Sequence, residues 1–541
     1  MADGEALESY DVAIVGAGFS GLYMLHRLRT LGVNARVYEA GPSVGGTWYW
    51  NRYPGARVDI ESQEYCYSFS ADLDAEWQWS ERYAAQPELL AYLNHVADRF
   101  DLRSGIQLKT RIAAAVYDEA RHRWTLTTDA GARVVAHHVV MATGCLSVAK
   151  EPDIPGAESF TGETYHTHRW PEGGVDFTGR TVAVIGTGSS AIQAIPQIAR
   201  QAKHLTVFQR TPNFSVPAHN HPTDPKVAAD WAANREQYRR EAREAGFAIR
   251  AVQQREAAAL EATPEERKAA FEERWARGGF SLLGAYNDLI FSKEANDTAV
   301  EFVADKIRGL VKDPATAEKL IPRTYPIGSK RICVDTGYYE TFNRPNVSLV
   351  DLTEEPIQAI TPTGVRTARA DYEVDALVYA IGFDAMTGAL GKIDIRGKGG
   401  VALKDRWAEG PKSYLGLMVA GFPNLFIVTG PGSPSVLSNM AVSIEQHVEW
   451  IGDCIAWMGQ RQAGAIEATE AAQEAWAAHV NEVADLTVYP QANSWYMGAN
   501  VPGKPRVFMP YIGGFPAYRE KCAEVAAKGY EGFEVTAEGR A

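Results

Sequence analysis

A chain of 541 residues holds enough material for three or four domain-sized units with buried cores. Hydrophobic residues are 46% and charged residues 22%, the proportions of an ordinary soluble globular protein. The net charge of −13, from 54 Lys and Arg against 67 Asp and Glu, argues against nucleic acid and against a generally membrane-bound surface. The richest apolar run, "YLGLMVAGFPNLFIVTG", is broken by Gly, Pro and Asn, so no membrane span is expected. The opening "MADGEALESY" is acidic and polar and shows no secretory signal, so a cytoplasmic protein is expected. Five cysteines, Cys66, Cys145, Cys333, Cys454 and Cys522, form no C-x-x-C pair and read as free thiols of a reducing compartment.

The first element is the short apolar strand in "YDVAIVGAGFSGLYMLHRLRTLGVNARVYEA". Gly16, Gly18 and Gly21 then form G-x-G-x-x-G. The first glycine permits the tight turn, the second admits a pyrophosphate, and the third lets the helix pack on the strand. The helix that follows offers its N-terminal N–H groups to phosphates. A second strand ends in Glu39, 23 residues after Gly16, where a carboxylate accepts hydrogen bonds from a ribose 2′-OH. Strand, glycines, helix, strand and acid in that order specify a dinucleotide site.

The next stretch, "GPSVGGTWYWNRYPGARVDIES", carries a second glycine turn with Gly46, Thr47 and Trp48. Such a turn suits a flavin, because backbone must pass close to a large tricyclic ring; core packing is the plainer reading of Trp48, Tyr49 and Trp50. Here the sequence resembles the FAD-containing class B monooxygenases, and "GGTWYWNRYPG" is most similar to their type I Baeyer–Villiger branch.

"FTGETYHTHRWP" shows no strand or helix period. His166 and His168 lack the further ligands that a zinc site needs, so no metal is expected. The stretch fits F-x-G-x-x-x-H-x-x-x-W-P at Phe160, Gly162, His166, Trp170 and Pro171, the Baeyer–Villiger fingerprint. The resemblance makes it a linker and hinge that couples NADP binding to domain movement, with His166 structural rather than a proton shuttle.

"RTVAVIGTGSSAIQAIPQIARQAKHLTVFQRTP" repeats the dinucleotide pattern with Gly186, Gly188, Ser189 and Ala191. Its second strand ends in Gln209, Arg210 and Thr211, with Arg210 24 residues after Gly186. A cation there suits the 2′-phosphate of NADP, and Lys330 adds a second charge. "HHVVMATGCLS" and "ALVYAIGFDA" read as buried strands that carry the chain between two modules, crossing near 146 and returning near 386. Residues 212–330 are rich in Ala, Glu and Arg and read as a helical insert whose charge runs are solvated faces.

The expected class is α/β: two Rossmann-like dinucleotide-binding domains, for FAD and NADP, with a helical insert. The expected division is 1–145 and 387–541 for the FAD domain, 146–211 and 331–386 for the NADP domain, and 212–330 for the insert. The resemblance covers nearly the whole chain and lies nearest the phenylacetone and steroid monooxygenase group, with cyclohexanone monooxygenases farther off. It implies NADPH- and oxygen-dependent conversion of a small-molecule ketone to an ester or lactone through a flavin C4a-peroxide, with sulfoxidation as a side activity. An anionic nucleophile and adduct call for a fixed cation, and arginine stays protonated at any working pH. The resemblance places that cation at Arg331 and its orienting carboxylate at Asp59. It also makes Ser435, Leu437 and Met440 pocket residues, and Trp495 part of a loop closing over NADP and substrate. A monomer is expected. The alternatives are a flavin-dependent N- or S-monooxygenase, a dinucleotide disulfide reductase, disfavoured by the absent cysteine pair, and a non-catalytic redox sensor.

Overall fold

A computed structural model of the chain describes residues 7–537. The run Glu8–Val15 forms the strand its β-branched residues demand, and Val12, Ala13 and Ile14 are fully buried. It pairs in parallel with Ala35–Tyr38 on one side and Arg133–Met141 on the other. Helix Phe19–Thr30 makes the crossover and packs on the long helix Met440–Arg461. The sheet has eight strands. Two of them, Asp394–Arg396 and Leu425–Ile427, come from far along the chain. Strand Arg133–Met141 is shared: its first half runs antiparallel to Arg123–Thr128, and its last residues run parallel to Leu425–Ile427.

The second sheet has five strands, all parallel, in the order Val347–Asp351, His204–Gln209, Thr181–Ile185, Ala376–Tyr379 and Glu163–His166. The last of these lies inside the fingerprint, so the stretch is no bare linker: His166 pairs with Tyr379 at the sheet edge. An edge strand of four residues with a half-solvated surface offers neither an apolar run nor a measurable alternation, which hides it from a periodicity reading.

The insert, which in the chain falls between strands His204–Gln209 and Val347–Asp351, holds helices Pro225–Glu244, Pro264–Arg277, Lys293–Leu310 and Pro314–Leu320. Asp224, Thr263, Ser292 and Asp313 cap their N-termini with side-chain oxygens, and Thr263 and Glu266 form a capping box. Not all of its charges are solvated. Arg239 and Arg274 are buried: Arg239 reaches Asp74 at 3.2 Å and the Cys66 thiol at 3.0 Å, and Arg274 reaches the Gln253 carbonyl at 3.1 Å. A guanidinium keeps its charge on burial when an acid faces it, so Arg239 pins the insert to the first module. A parallel pair of short strands, Ser215–Pro217 and Cys333–Asp335, clamps the two ends of the insert together. All five cysteines are buried and free.

Candidate functional site

The first glycine turn is built by steric exclusion. Gly16 has φ +106°, and a Cβ there would lie 2.5 Å from the Ala142 carbonyl oxygen; one on Gly21 would lie 1.8 Å from the Gly16 oxygen. The second turn comes from the other side: Cβ atoms on Gly18 and Gly46 would lie 3.3 and 2.8 Å from each other's Cα. Thr47 is exposed and Trp48 buried in the short helix Thr47–Trp50. The Glu39 carboxylate is buried, and its oxygens accept from the Ala17 and Gly41 N–H groups, each at 2.7 Å. Each oxygen keeps a lone pair for a ribose hydroxyl, and the first turn of Phe19–Thr30 carries no side-chain cap to block phosphate. These features fit a dinucleotide.

At the second turn, Gly186 has φ +111° and a Cβ would meet the Ala380 oxygen at 2.4 Å, whereas a Cβ on Gly188 would face open space. Ser189 places its hydroxyl 3.4 Å from the Cys333 sulfur. The Thr211 carbonyl accepts from the Thr187 hydroxyl at 3.0 Å, which holds the turn after the strand. Arg210 is exposed. Lys330 lies 4.3 Å over the Tyr325 ring, whose hydroxyl donates to the Pro212 carbonyl at 2.9 Å, so Lys330 sits beside the Arg210 turn. Burial, then the charge of Arg210, pull its ammonium down to about 8.

Three parts of the chain meet at Arg331. Its Nε and Nη2 donate to the two Asp59 oxygens at 3.0 and 2.8 Å, and Nη1 donates to the Val436 carbonyl at 2.8 Å. The guanidinium also lies 4.6 Å from the Phe280 ring. Five N–H donors less the three engaged leave two free for an anion. The side chains of Arg331 and Asp59 are 24% and 28% exposed, so the pair lines accessible space. Burial opposes the charge on Arg331, yet Asp59 outweighs it, and the net shift is upward. Val436, Phe280 and the nearby Tyr496 were not signalled by the sequence: a carbonyl and two rings carry no motif.

Leu437, Met440 and Trp495 share one apolar cluster with Cys145, Met386 and Tyr496 beside that pair. Ser435 is fully buried at φ +38°; its hydroxyl donates to the Thr429 carbonyl at 3.4 Å and its side chain also meets the Cys145 thiol of that cluster. The loop carrying Trp495 is docked, with Asn500 donating to the Phe383 carbonyl at 2.7 Å and Lys504 pairing with Asp384 at 2.7 Å.

The fingerprint is a packing unit. A Cβ on Gly162 would lie 2.5 Å from the Phe160 ring and 2.6 Å from the Asp375 carbonyl. Trp170 is buried against Tyr165 and Phe177, and the Pro171 carbonyl accepts from Gly174. The His166 ring lies 5.1 Å from Tyr379, and that of His168 lies 6.3 Å from Phe383, the residue on which the Trp495 loop docks. Burial, then Arg169, lower both imidazoles, His168 to about 4. Among the described residues no cluster could hold a metal ion.

A family described as pyridine nucleotide-disulphide oxidoreductase matches residues 13–278. A protein of Pseudooceanicola batsensis described as a Baeyer-Villiger monooxygenase is 42% identical, over 96% of this chain and 95% of its own. Phenazine N-monooxygenase PhzNO1 of Lysobacter antibioticus is 43% identical over 97% and 96%. The solved structure of oxidized steroid monooxygenase bound to NADP superposes with a TM-score of 0.94 at 52% identity, covering 98% of this chain and 100% of its own.

Proposed function

The chain belongs to the Baeyer–Villiger monooxygenase family, and from that premise we propose what its own residues do. It is an FAD-dependent, NADPH- and oxygen-using monooxygenase that oxidises ketones to esters or lactones. Bound FAD supplies the redox chemistry, accepting hydride from NADPH and activating oxygen. Gly16, Gly18, Gly21, Glu39, Gly46, Thr47 and Trp48 hold it, and Gly186, Gly188, Ser189, Arg210, Thr211 and Lys330 hold NADPH. We read 1–145 with 387–541 as the FAD domain and 146–211 with 331–386 as the NADP domain around the insert; the membership of the two sheets supports this division.

The observation that carries the reading is the Arg331–Asp59 pair at the meeting point of three chain segments. Asp59 is a positioning residue that holds the guanidinium in one plane. The two free N–H groups of Arg331 stabilise negative oxygen, first on the attacking group and then on the adduct formed at the ketone carbon. Leu437, Met440 and Trp495 exclude water there. Ser435 backs the same wall from beside Cys145. We take the protein to act as a cytoplasmic monomer; no described helix is long and apolar enough to cross a membrane.

The test supplies NADPH, labelled oxygen and a panel of cyclic and aryl ketones, with ester analysed by mass. Ketone-stimulated NADPH consumption with one labelled oxygen atom in the ester is expected. Consumption stimulated only by nitrogen heterocycles would favour the second reading, N-oxygenation, which a relative of equal identity keeps in play.

A further inference from the structure

Lys150 has no role in the sequence reading, yet the fold brings it to the second glycine turn. Its N–H donates to the Gly382 carbonyl at 3.0 Å, Ala149 pairs with Phe383, and the Asp384 N–H returns to Val148 at 2.8 Å. Gly382 lies three residues past the strand Ala376–Tyr379, which pairs with Thr181–Ile185; the Ala380 carbonyl just beyond that strand lies against Gly186. Arg210 follows directly on the strand on the opposite side, His204–Gln209. Lys150 and Arg210 therefore flank one turn, with Lys330 beside Arg210.

None of these three cations is ion-paired with an acid among the described residues. Glu151, next to Lys150 in the chain, pairs with Arg169 at 2.8 Å, and Asp384, whose charge acts on Lys150, is engaged by Lys504 at 2.7 Å. Burial, then the charge of Arg210, lower the Lys150 ammonium, and the same two causes lower Lys330. Half-buried like charges without a counter-ion are unfavourable until an anion arrives. A phosphate monoester, with close to two negative charges, suits three cations better than a diester does.

We propose that Lys150 is a third cationic contact for the 2′-phosphate of NADP and so helps set the preference for NADP over NAD. This rests on the reading of the second turn as the NADP site. The test measures dissociation constants of NADP+ and NAD+ by calorimetry on the FAD-loaded enzyme, for the parent, Lys150→Ala, Lys150→Arg and Arg210→Ala. Flavin content and thermal unfolding report on folding. Lys150→Ala should weaken NADP+ about tenfold and leave NAD+ within about twofold, and Lys150→Arg should restore most of the loss. Equal weakening of both dinucleotides, or no change, while Arg210→Ala selectively weakens NADP+, overturns the role of Lys150 alone. If Arg210→Ala also leaves the ratio unchanged, the NADP reading fails and this proposal with it.

Discussion

At the scale of single residues, Arg331 shows how environment makes a side chain into a tool. A lone arginine on a surface is worth little, because solvent screens it. Here a bidentate carboxylate, a carbonyl and a ring fix the guanidinium in a partly enclosed space, with two donors left over. Replacing it with alanine removes the donors. Ester formation should fall on the order of 10²–10³-fold, as for the loss of an oxyanion donor, while anaerobic flavin bleaching by NADPH stays within a few-fold. Lysine keeps the charge but loses the fork, so an intermediate rate is expected. Bleaching that falls in parallel with ester formation would make Arg331 a structural residue. His166 and His168 lie in the opposite setting, where burial, then Arg169, favours the uncharged imidazole.

Among the elements, the loop around Trp495 is the one we propose to close over the site. Few apolar contacts hold its tip, so the docking rests on Asn500 and on the pair Lys504–Asp384, in which the lysine is largely covered. Lys504→Ala should leave the fold intact and raise amide hydrogen exchange across 495–509 by about tenfold, the loss of one well-made charged hydrogen bond. Exchange at the parent rate would show that the loop is held by packing alone. The edge strand Glu163–His166 reaches the same docking point through His168 and Phe383, which gives the fingerprint a physical route to the loop.

For the molecule as a whole, buried polar groups join the modules and link stability to pH. Glu64, from the first module, is buried and accepts from the Arg250 N–H of the insert at 2.8 Å. Burial raises its carboxyl from 4.5 to about 7. The folded state therefore holds a proton that the unfolded state releases between about pH 4.5 and 7. This contribution is complete below about pH 4.5, declines as pH rises, and is lost above about 7. Glu64→Gln keeps the acceptor and removes the titration. Denaturant unfolding of the variant should lose a pH slope worth up to about 3 kcal/mol over that window. An unchanged slope would assign the pH dependence to other groups.

Much of this molecule was determined by sequence alone. Both dinucleotide turns follow from glycines at fixed spacing after apolar strands, because only glycine tolerates the backbone of Gly16 and Gly186 against the neighbouring strand. The acid at Glu39 and the cation at Arg210 follow from the same spacing, since strand length fixes where a ribose lies. Resemblance, not spacing, brought Arg331 and Asp59 forward, because 272 residues separate them and no local period records the distance. Only the tertiary structure decided that the fingerprint is an edge strand, that Arg239 and Arg274 are buried, that Ser435 turns inward, and that Lys150 and Arg210 flank one turn. Each of those is a matter of which distant surface covers a residue, and coverage is a property of packing that adjacent residues do not encode.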